Sequence, residues 1–298
     1  MVICGKDIHV RGRIVRIAGL AADMYEYVDN PEVTIDALRD CGVRIDLFTF
    51  MQRLPETSPK YSYPMEWDNL AVLPISTFDH WWNEQIGFKA RNKAKQAEKK
   101  GVIFREVPFD SLLVQGIWAV YNECEVRQGK QFTHYGKEIE QVRLEAGTFL
   151  HRSIFIGAFL DGTLIGFVKL LYDETGTQAG LLHIVSMIKH RDKAPTNGLV
   201  AQAVRSCAQR GILYLVYSRF NDGNKKFDGL MEFKDRNGFK QVDLPRYYVP
   251  LTQFGRVALR LGFHKNVTHF IPEPILKRLR DLKSGWYMRK IKSTQQGF

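Results

Sequence analysis

His183 sits inside the apolar run GLLHIVSM, and histidine is the side chain that exchanges a proton near neutral pH. It is a candidate base; the plainer alternative is a packed imidazole satisfied by a backbone carbonyl. Just beyond it, HRDKAPTN carries His190, Arg191, Lys193, Thr196 and Asn197 into the start of a helix. Two cations and a helix terminus there can hold a phosphate. His190 competes with His183 for the proton-transfer role. Tyr217, the last residue of ILYLVY, is a candidate acid or an aromatic packed at a strand end. A further concentration of reactive types is YNECEVRQGKQFTHYGKE, in which Glu123, Glu125, Arg127, Gln128, His134, Tyr135 and Lys137 crowd into a short span. Solubility alone would not ask for so many such groups, so this span either faces a reactant or is an ordinary polar loop. Arg246, beside Tyr247 and Tyr248, offers another wall of a cleft or ordinary strand pairing.

These groups need elements to position them. SIFIGAFLDGTLIGFVKLLYD is two apolar runs joined at Asp161-Gly162, a dipeptide that tolerates positive φ and predicts a tight hairpin. A third strand, the polar loop, and a helix with Leu199, Val200, Ala203, Val204 and Cys207 on one face follow, ending at Gly211 before ILYLVY. Upstream, VIFREV predicts a strand, Leu112 to Val120 a helix and Lys137 to Gly147 a second helix. Downstream come a helix around Leu230 to Phe233 and the strand FKQVDLPRYYVPL. The opening hundred residues predict one strand over residues 8 to 20, a helix from Asn30-Pro31 to Gly42, and the strand RIDLFTFM. A long surface connection, LPETSPKYSYPMEWDN, then leads to the strand NLAVLPIS. Thr77 to Gly101 predicts a single long helix, aromatic at its start and basic at its end. Six basic residues and one acid lie between Lys89 and Lys100, suited either to solvent or to phosphate contact.

Composition sets the limits. The chain has 298 residues, 45% apolar and 12% aromatic, enough for a folded core of one large or two small domains. No run approaches the roughly 20 apolar residues of a membrane span, and the amino end lacks a secretory apolar stretch, so the cytoplasm is the expected compartment. Cys4, Cys41, Cys124 and Cys207 have no paired zinc spacing and are expected as free thiols. No phosphate-binding glycine loop with Lys-Ser/Thr, zinc-protease His-Glu-x-x-His, serine elbow or metal cluster is present, which removes those hydrolase classes. A net charge of +11 favours RNA, anionic lipid head groups or phosphorylated cofactors, or else describes a basic enzyme surface.

From residue 101 the order is strand, two helices, three antiparallel strands, helix, strand, helix, strand. It resembles the GNAT (Gcn5-related N-acetyltransferase) fold, with AFLDGTLIGF similar to its central hairpin and NGFK similar to the glycine-phenylalanine that ends its last helix. The basic helix RNKAKQAEKKG before a strand, and LMEFKDRNGF, resemble the Fem-type branch, the FemAB-like aminoacyl and peptidyl transferases. The resemblance implies an α/β (α+β) chain with a mixed, mainly antiparallel sheet flanked by helices. It divides the chain into an N-terminal α/β segment, 1–100, similar to a truncated second GNAT-like half; an acyltransferase domain, 101–251; and a basic tail, 252–298. In CoA-dependent relatives the turn into the main helix reads Gln/Arg-x-x-Gly-x-Gly/Ala. Here Arg191-Asp192-Lys193-Ala194-Pro195-Thr196 puts alanine at the first glycine, loses an amide donor at proline, and is similar to the Fem-type loop.

The resemblance also assigns roles. The donor carbonyl would lie along GLLHIVSM, polarised by backbone amides near Val185, Ser186 and Met187. His183 and Tyr217 would be catalytic. Lys234, four residues before Gly238, stands where CoA-using relatives often carry a tyrosine acid and would meet developing negative charge. Ser186, Met187, His190, Arg191, Lys193, Thr196 and Asn197 would bind the donor, while Arg127, Gln128, His134, Tyr135, Lys137 and Arg246 would bind the acceptor. The implied function is transfer of an acyl or aminoacyl group to an amine of a larger acceptor. Acyl-CoA or aminoacyl-tRNA would serve as donor substrate, with no tightly bound cofactor and no metal. The alternatives are an acetyl-CoA-dependent N-acetyltransferase and a catalytically silent basic module that binds RNA or a membrane surface. The stretch PEPILKRLRDLKSGWYMRKIK, with basic and apolar residues interleaved, is suited to peripheral contact with an anionic membrane or to docking on the body.

Overall fold

A computed structural model describes residues 1–127, 129–221 and 229–265. Gln128 and the tail stretch from Ile275 to Lys292 therefore lie outside the described residues. The single strand expected over residues 8 to 20 is instead a fold-back. Gly12 has φ +88°, and a Cβ there would meet the Val15 carbonyl oxygen at 2.1 Å, so the chain reverses. After the short β1 (Val2–Ile3), β2 (Lys6–Arg11) and β3 (Ile17–Leu20) pair antiparallel through Ile8↔Leu20. Asn30 then caps α1 (Pro31–Asp40), its side chain accepting from the Val33 amide at 3.3 Å. Next come β4 (Leu47–Met51) and β5 (Met65–Pro74), the latter starting within the stretch expected to be surface connection.

The expected helix from Thr77 to Gly101 is broken. α2 (Phe78–His80) runs into a π-turn, Trp81–Gln85, whose Trp81 is fully buried; Ile86 is extended, and α3 (Phe88–Lys99) starts afresh. Gly87 allows the break, because its amide donates to the Arg236 carbonyl at 2.8 Å and a Cβ would sit 3.1 Å from that oxygen. Only Ala90, Ala94 and Ala97 of α3 are buried, so its charge covers the rest of the cylinder but not that stripe.

The remainder follows the expected order: β6 (Ile103–Val107), α4 (Ser111–Asn122), the two-residue strands β7 (Val126–Arg127) and β8 (Lys130–Gln131), and α5 (Ile139–Ala146). The hairpin is β9 (Ser153–Leu160) and β10 (Thr163–Tyr172), turned by Asp161 and Gly162 at φ +48° and +76°. Then come β11 (Gln178–Ser186), α6 (Pro195–Gln209), β12 (Tyr214–Val216), α7 (Gly229–Arg236), β13 (Lys240–Pro250) and α8 (Gln253–Arg260).

Eleven strands form one sheet in the order β1-β2-β3-β4-β13-β5-β12-β11-β10-β9-β6. Only β3–β4 and β11–β12 pair parallel among the described ladders. The amino-terminal half is thus continuous with the rest, since β5 lies between β12 and β13. Cross-strand neighbours share a face. Phe155, Lys169 and His183 are such neighbours on the face where the Phe155 ring meets Phe109, at 5.1 Å, and Lys169 reaches α5. Phe104, Ala158, Gly166 and Ser186 line the opposite face under α6, where the Phe104 ring fills the space a Cβ on Gly198 would take. Among the described residues no helix is long and apolar enough to cross a membrane, and no three His, Cys, Asp or Glu side chains are placed to hold a metal ion.

Candidate functional site

The sheet splits at one place. β11 and β12 pair only from Gln178↔Tyr214 to Gly180↔Val216. Beyond that β11 stays with β10 to Ser186, while Tyr217 donates its amide to Ala71 at 2.8 Å and the Ser218 carbonyl accepts from Ala71 at 2.9 Å. The second strand thus follows β5 and the first does not, which leaves a V-shaped opening between Leu181–Ser186 and Tyr217–Ser218. Tyr25 stands at its apex. The ring rests on Gly180, where a Cβ would come within 2.0 Å of it, and the hydroxyl donates to the Leu181 carbonyl at 3.3 Å. Sequence reasoning missed this residue; the signal it leaves is the aromatic pair Tyr25 and Tyr27 in the mixed stretch AADMYEYVDN before α1.

On the α4–α5 face the structure gathers His183 with the expected acceptor segment. The His183 ring lies edge-on to His134 at 5.9 Å, and His134 stacks on Tyr121 at 4.4 Å. Lys137 Nζ donates to Glu145 Oε1 at 2.7 Å and lies 3.2 Å from His134 Nδ1. Burial first, then the neighbouring His134 and Lys169, pushes His183 down to about 4, so the ring is neutral at physiological pH. Burial and Lys137 push His134 down as well. Lys169, directly across the ladder from His183, is fully buried, and burial pushes it down to about 8. Its ammonium donates to the Ala146 carbonyl at 2.8 Å, to the Thr148 carbonyl, and to the Thr148 hydroxyl at 3.2 Å, closing the end of α5. Arg127 joins this segment to the end of β11, with Nη1 donating to the Ser186 carbonyl at 2.8 Å and Nη2 to Val120 at 3.0 Å. Tyr135 is 41% exposed at the rim.

The expected donor loop is a pair of short 3-10 turns over Ile188–Lys193, kinked at His190 and largely satisfied by its own chain. The His190 amide donates to Met187, Ala194 to Arg191, and Asn197 to Ala194. Met187 was expected to polarise a donor carbonyl, but its amide is spent on the Ile165 carbonyl at 2.8 Å, as the next step of the β10 ladder. Ser186 and Thr196 join strand to helix through their hydroxyls at 2.8 Å. α3 docks on the same turn: Gln96 Nε2 donates to the Asp192 carbonyl at 2.7 Å, and Lys100 Nζ to the Asp192 carboxylate at 3.1 Å. Lys193 pairs with the same carboxylate at 3.5 Å, and Arg191 is exposed beside them.

Tyr217 and Lys234 meet on the other side of the split. The Lys234 ammonium lies 4.9 Å over the Tyr217 ring and donates to the Arg219 carbonyl; the lysine is 3% exposed. Burial pushes the Tyr217 hydroxyl up to about 12, so it keeps its proton. Arg219 pairs with Asp68 at 2.8 Å, and Asp68 with Arg246 at 2.7 Å. Arg246 also pairs with Asp23 at 2.9 Å; burial opposes its charge, but Asp23 and Asp68 outweigh burial and raise its pKa. The site is therefore two groups rather than one: His183, His134, Lys137 and Arg127 on one face, Tyr217 and Lys234 on the other, with the split between them.

The split between two parallel strands, in a mixed sheet flanked by helices and continued by a strand from the amino-terminal half, belongs to a GNAT-like fold. Two solved structures share it. The C-terminal domain of a protein described as a lysylphosphatidylglycerol synthetase from Agrobacterium fabrum is 15% identical, covers 86% of this chain and 88% of its own, and has a TM-score of 0.53. L-PGS from Bacillus licheniformis is 14% identical over 85% of this chain and 83% of its own, with a TM-score of 0.54. FemX aligns over 74% of this chain and 69% of its own at 14% identity, with a TM-score of 0.44. No protein-family model and no curated protein sequence matches the chain.

Proposed function

We propose that this chain is an acyltransferase that moves an aminoacyl group from an activated donor to an amine on a larger acceptor. The observation that carries the reading is the split itself, with a neutral imidazole on one side and a protonated phenol beside an ammonium on the other. The donor carbonyl lies in the opening against the unladdered edge of β11. The amine approaches from the α4–α5 face, past Tyr135 and His134, and hydrogen-bonds to neutral His183 as its nitrogen attacks the carbonyl carbon. A group with a pKa of about 4 is a weak base, so its part is to align the amine; the amine's proton passes by way of His134 to the Glu145 carboxylate, whose Oε2 lies 3.7 Å from His134 Nδ1. Charge grows on the carbonyl oxygen and then on the leaving oxygen, where Lys234 and Tyr217 supply the positive and proton-bearing groups.

An aminoacyl-tRNA fits as donor better than an acyl-CoA. The turn where a pyrophosphate would sit is filled by its own hydrogen bonds, and the helix docked on it leaves Lys89, Lys93, Lys95 and Lys99 exposed to a phosphodiester backbone. The test is filter binding and single-turnover transfer with radiolabelled aminoacyl-tRNAs and acyl-CoAs. Saturable aminoacyl-tRNA binding is expected, with Lys234→Met lowering the transfer rate by about 10²-fold at unchanged binding. Absence of saturable binding for both donor classes overturns the reading.

A further inference from the structure

Much of the apolar surface of α8 faces away from the protein. Gly255 and Ala258 are buried where the helix packs on β4 and β13. Phe254, Val257 and Leu261 recur at helical spacing beside that contact, yet they are 41%, 52% and 57% exposed. A single exposed apolar side chain is ordinary, but three on one stripe are not, and Phe263 just beyond the helix is exposed as well. Arg256 and Arg260, one turn apart and both exposed, run along the outer edge of the stripe. Arg44 lies 5.4 Å over the Phe254 ring at its start. Val15 shares a small apolar cluster with Ala258, which holds the exposed loop tip Arg13-Ile14 beside the helix. Asp46, the acid underneath, is 1% exposed and already engaged: it accepts from the Arg16 amide at 2.9 Å, from Arg44 Nε at 3.2 Å and from the Thr252 hydroxyl at 3.0 Å. Residues 11–16 and 252–263 contain no acid.

We propose that α8 and the loop beside it form a docking surface for an anionic lipid bilayer. Phe254, Val257 and Leu261 enter the boundary between head groups and acyl chains, while Arg13, Arg256 and Arg260 meet lipid phosphates. Charge decides among the occupants. A second copy would set these arginines against their own counterparts, and residues 266–298 carry seven Lys and Arg against two acids, so neither complements the patch. A polynucleotide would match the charge, but Val257 and Leu261 have no ring on which a base could stack. A bilayer takes up both the charge and the aliphatic side chains. The surface lies on β4 and β13 rather than on the strands of the split, and the assignment does not depend on acyl transfer.

Full-length wild type, Val257→Ser/Leu261→Ser and Arg256→Gln/Arg260→Gln are sedimented at low salt with vesicles of phosphatidylcholine alone and of phosphatidylcholine with about 30% phosphatidylserine. Wild type is expected to bind the mixed vesicles at least about ten-fold more tightly than the neutral ones, and each double variant, melting as wild type does, to lose about ten-fold on the mixed vesicles. The serine variant keeps every charge, so its loss separates insertion of the stripe from general attraction of a basic protein. The proposal is overturned if wild type does not bind the mixed vesicles, or if both variants bind them as wild type does, which would give the contact to another part of the chain. It is also overturned if the apolar pair governs self-association in analytical ultracentrifugation, or the arginine pair governs retention of tRNA, while vesicle binding is unchanged. Absence of aminoacyl transfer in the wild type would strike the acyltransferase reading and leave the vesicle result standing.

Discussion

Burial, ahead of any partner, sets the state of His183, and that has a measurable consequence for stability. The unfolded ring takes a proton near 6.5, whereas the folded one takes it only near 4. Between those values the unfolded state binds more protons, so stability present at pH 7 is lost as pH falls from about 6.5 to about 4. At about 1.4 kcal/mol per unit, and discounted for a ring that is only partly buried, the loss is about 1–3 kcal/mol. Urea unfolding at pH 7 and pH 4.5 should show that extra loss in wild type and not in His183→Gln; equal losses would remove the claim. Lys169 acts in a separate window, because its depressed value makes stability rise from pH 8 towards 10.5. The residue type at position 183 was readable from the strand pattern. Its neutrality was not, since it depends first on burial under elements distant in the chain and then on His134 and Lys169, which reach it from a loop and from the neighbouring strand. Tyr25 was hidden for the same reason: nothing local says that its ring will lie on Gly180.

Elements governed by local chemistry were legible and those governed by contact were not. Asp161-Gly162 fixes its hairpin by backbone preference alone, and the apolar faces of α4 and α6 are periodic. The break at Ile86-Gly87 is invisible to periodicity, because the close approach of the Arg236 carbonyl decides it. β11 shows the same kind of dependence at the split. A methyl group on Gly180 would overlap the Tyr25 ring, so Gly180→Ala should destabilise the protein by about 1–3 kcal/mol through overpacking. If the ring is the cause, adding Gly180→Ala to a Tyr25→Ala background should cost almost nothing, because the space is already vacated. Chemical denaturation of the four proteins closes that cycle. A full penalty in the Tyr25→Ala background would mean that β11 itself cannot bear a side chain there, and that Tyr25 does not shape the apex.

At the scale of the molecule the sheet ignores the boundary that the chain suggests. Residues 101–251 carry a complete GNAT-like order of elements, and that division reads naturally from the sequence because each of its strands and helices announces itself locally. Pairing between distant strands leaves no such trace. β5 runs antiparallel to β13 from Met65↔Tyr247 to Val72↔Lys240, and to β12 from Val72↔Val216 to Pro74↔Tyr214. Without it, β12 and β13 each expose an unpaired edge in the middle of the sheet, where edges invite association. Trp81 would also be missing; it is fully buried, and its indole donates to the Asn237 carbonyl at 3.0 Å at the end of α7. With α3 gone as well, the surfaces of α6 and α7 against which it packs would face water. A fragment of residues 101–265 should therefore be insoluble, or soluble without a cooperative transition, and co-expression with residues 1–100 should recover a soluble complex. Calorimetry of the fragment alone decides it. A monomer unfolding cooperatively near the full-chain temperature would show that the carboxyl-terminal region carries its own core, and that β5 merely leans on a sheet already closed without it.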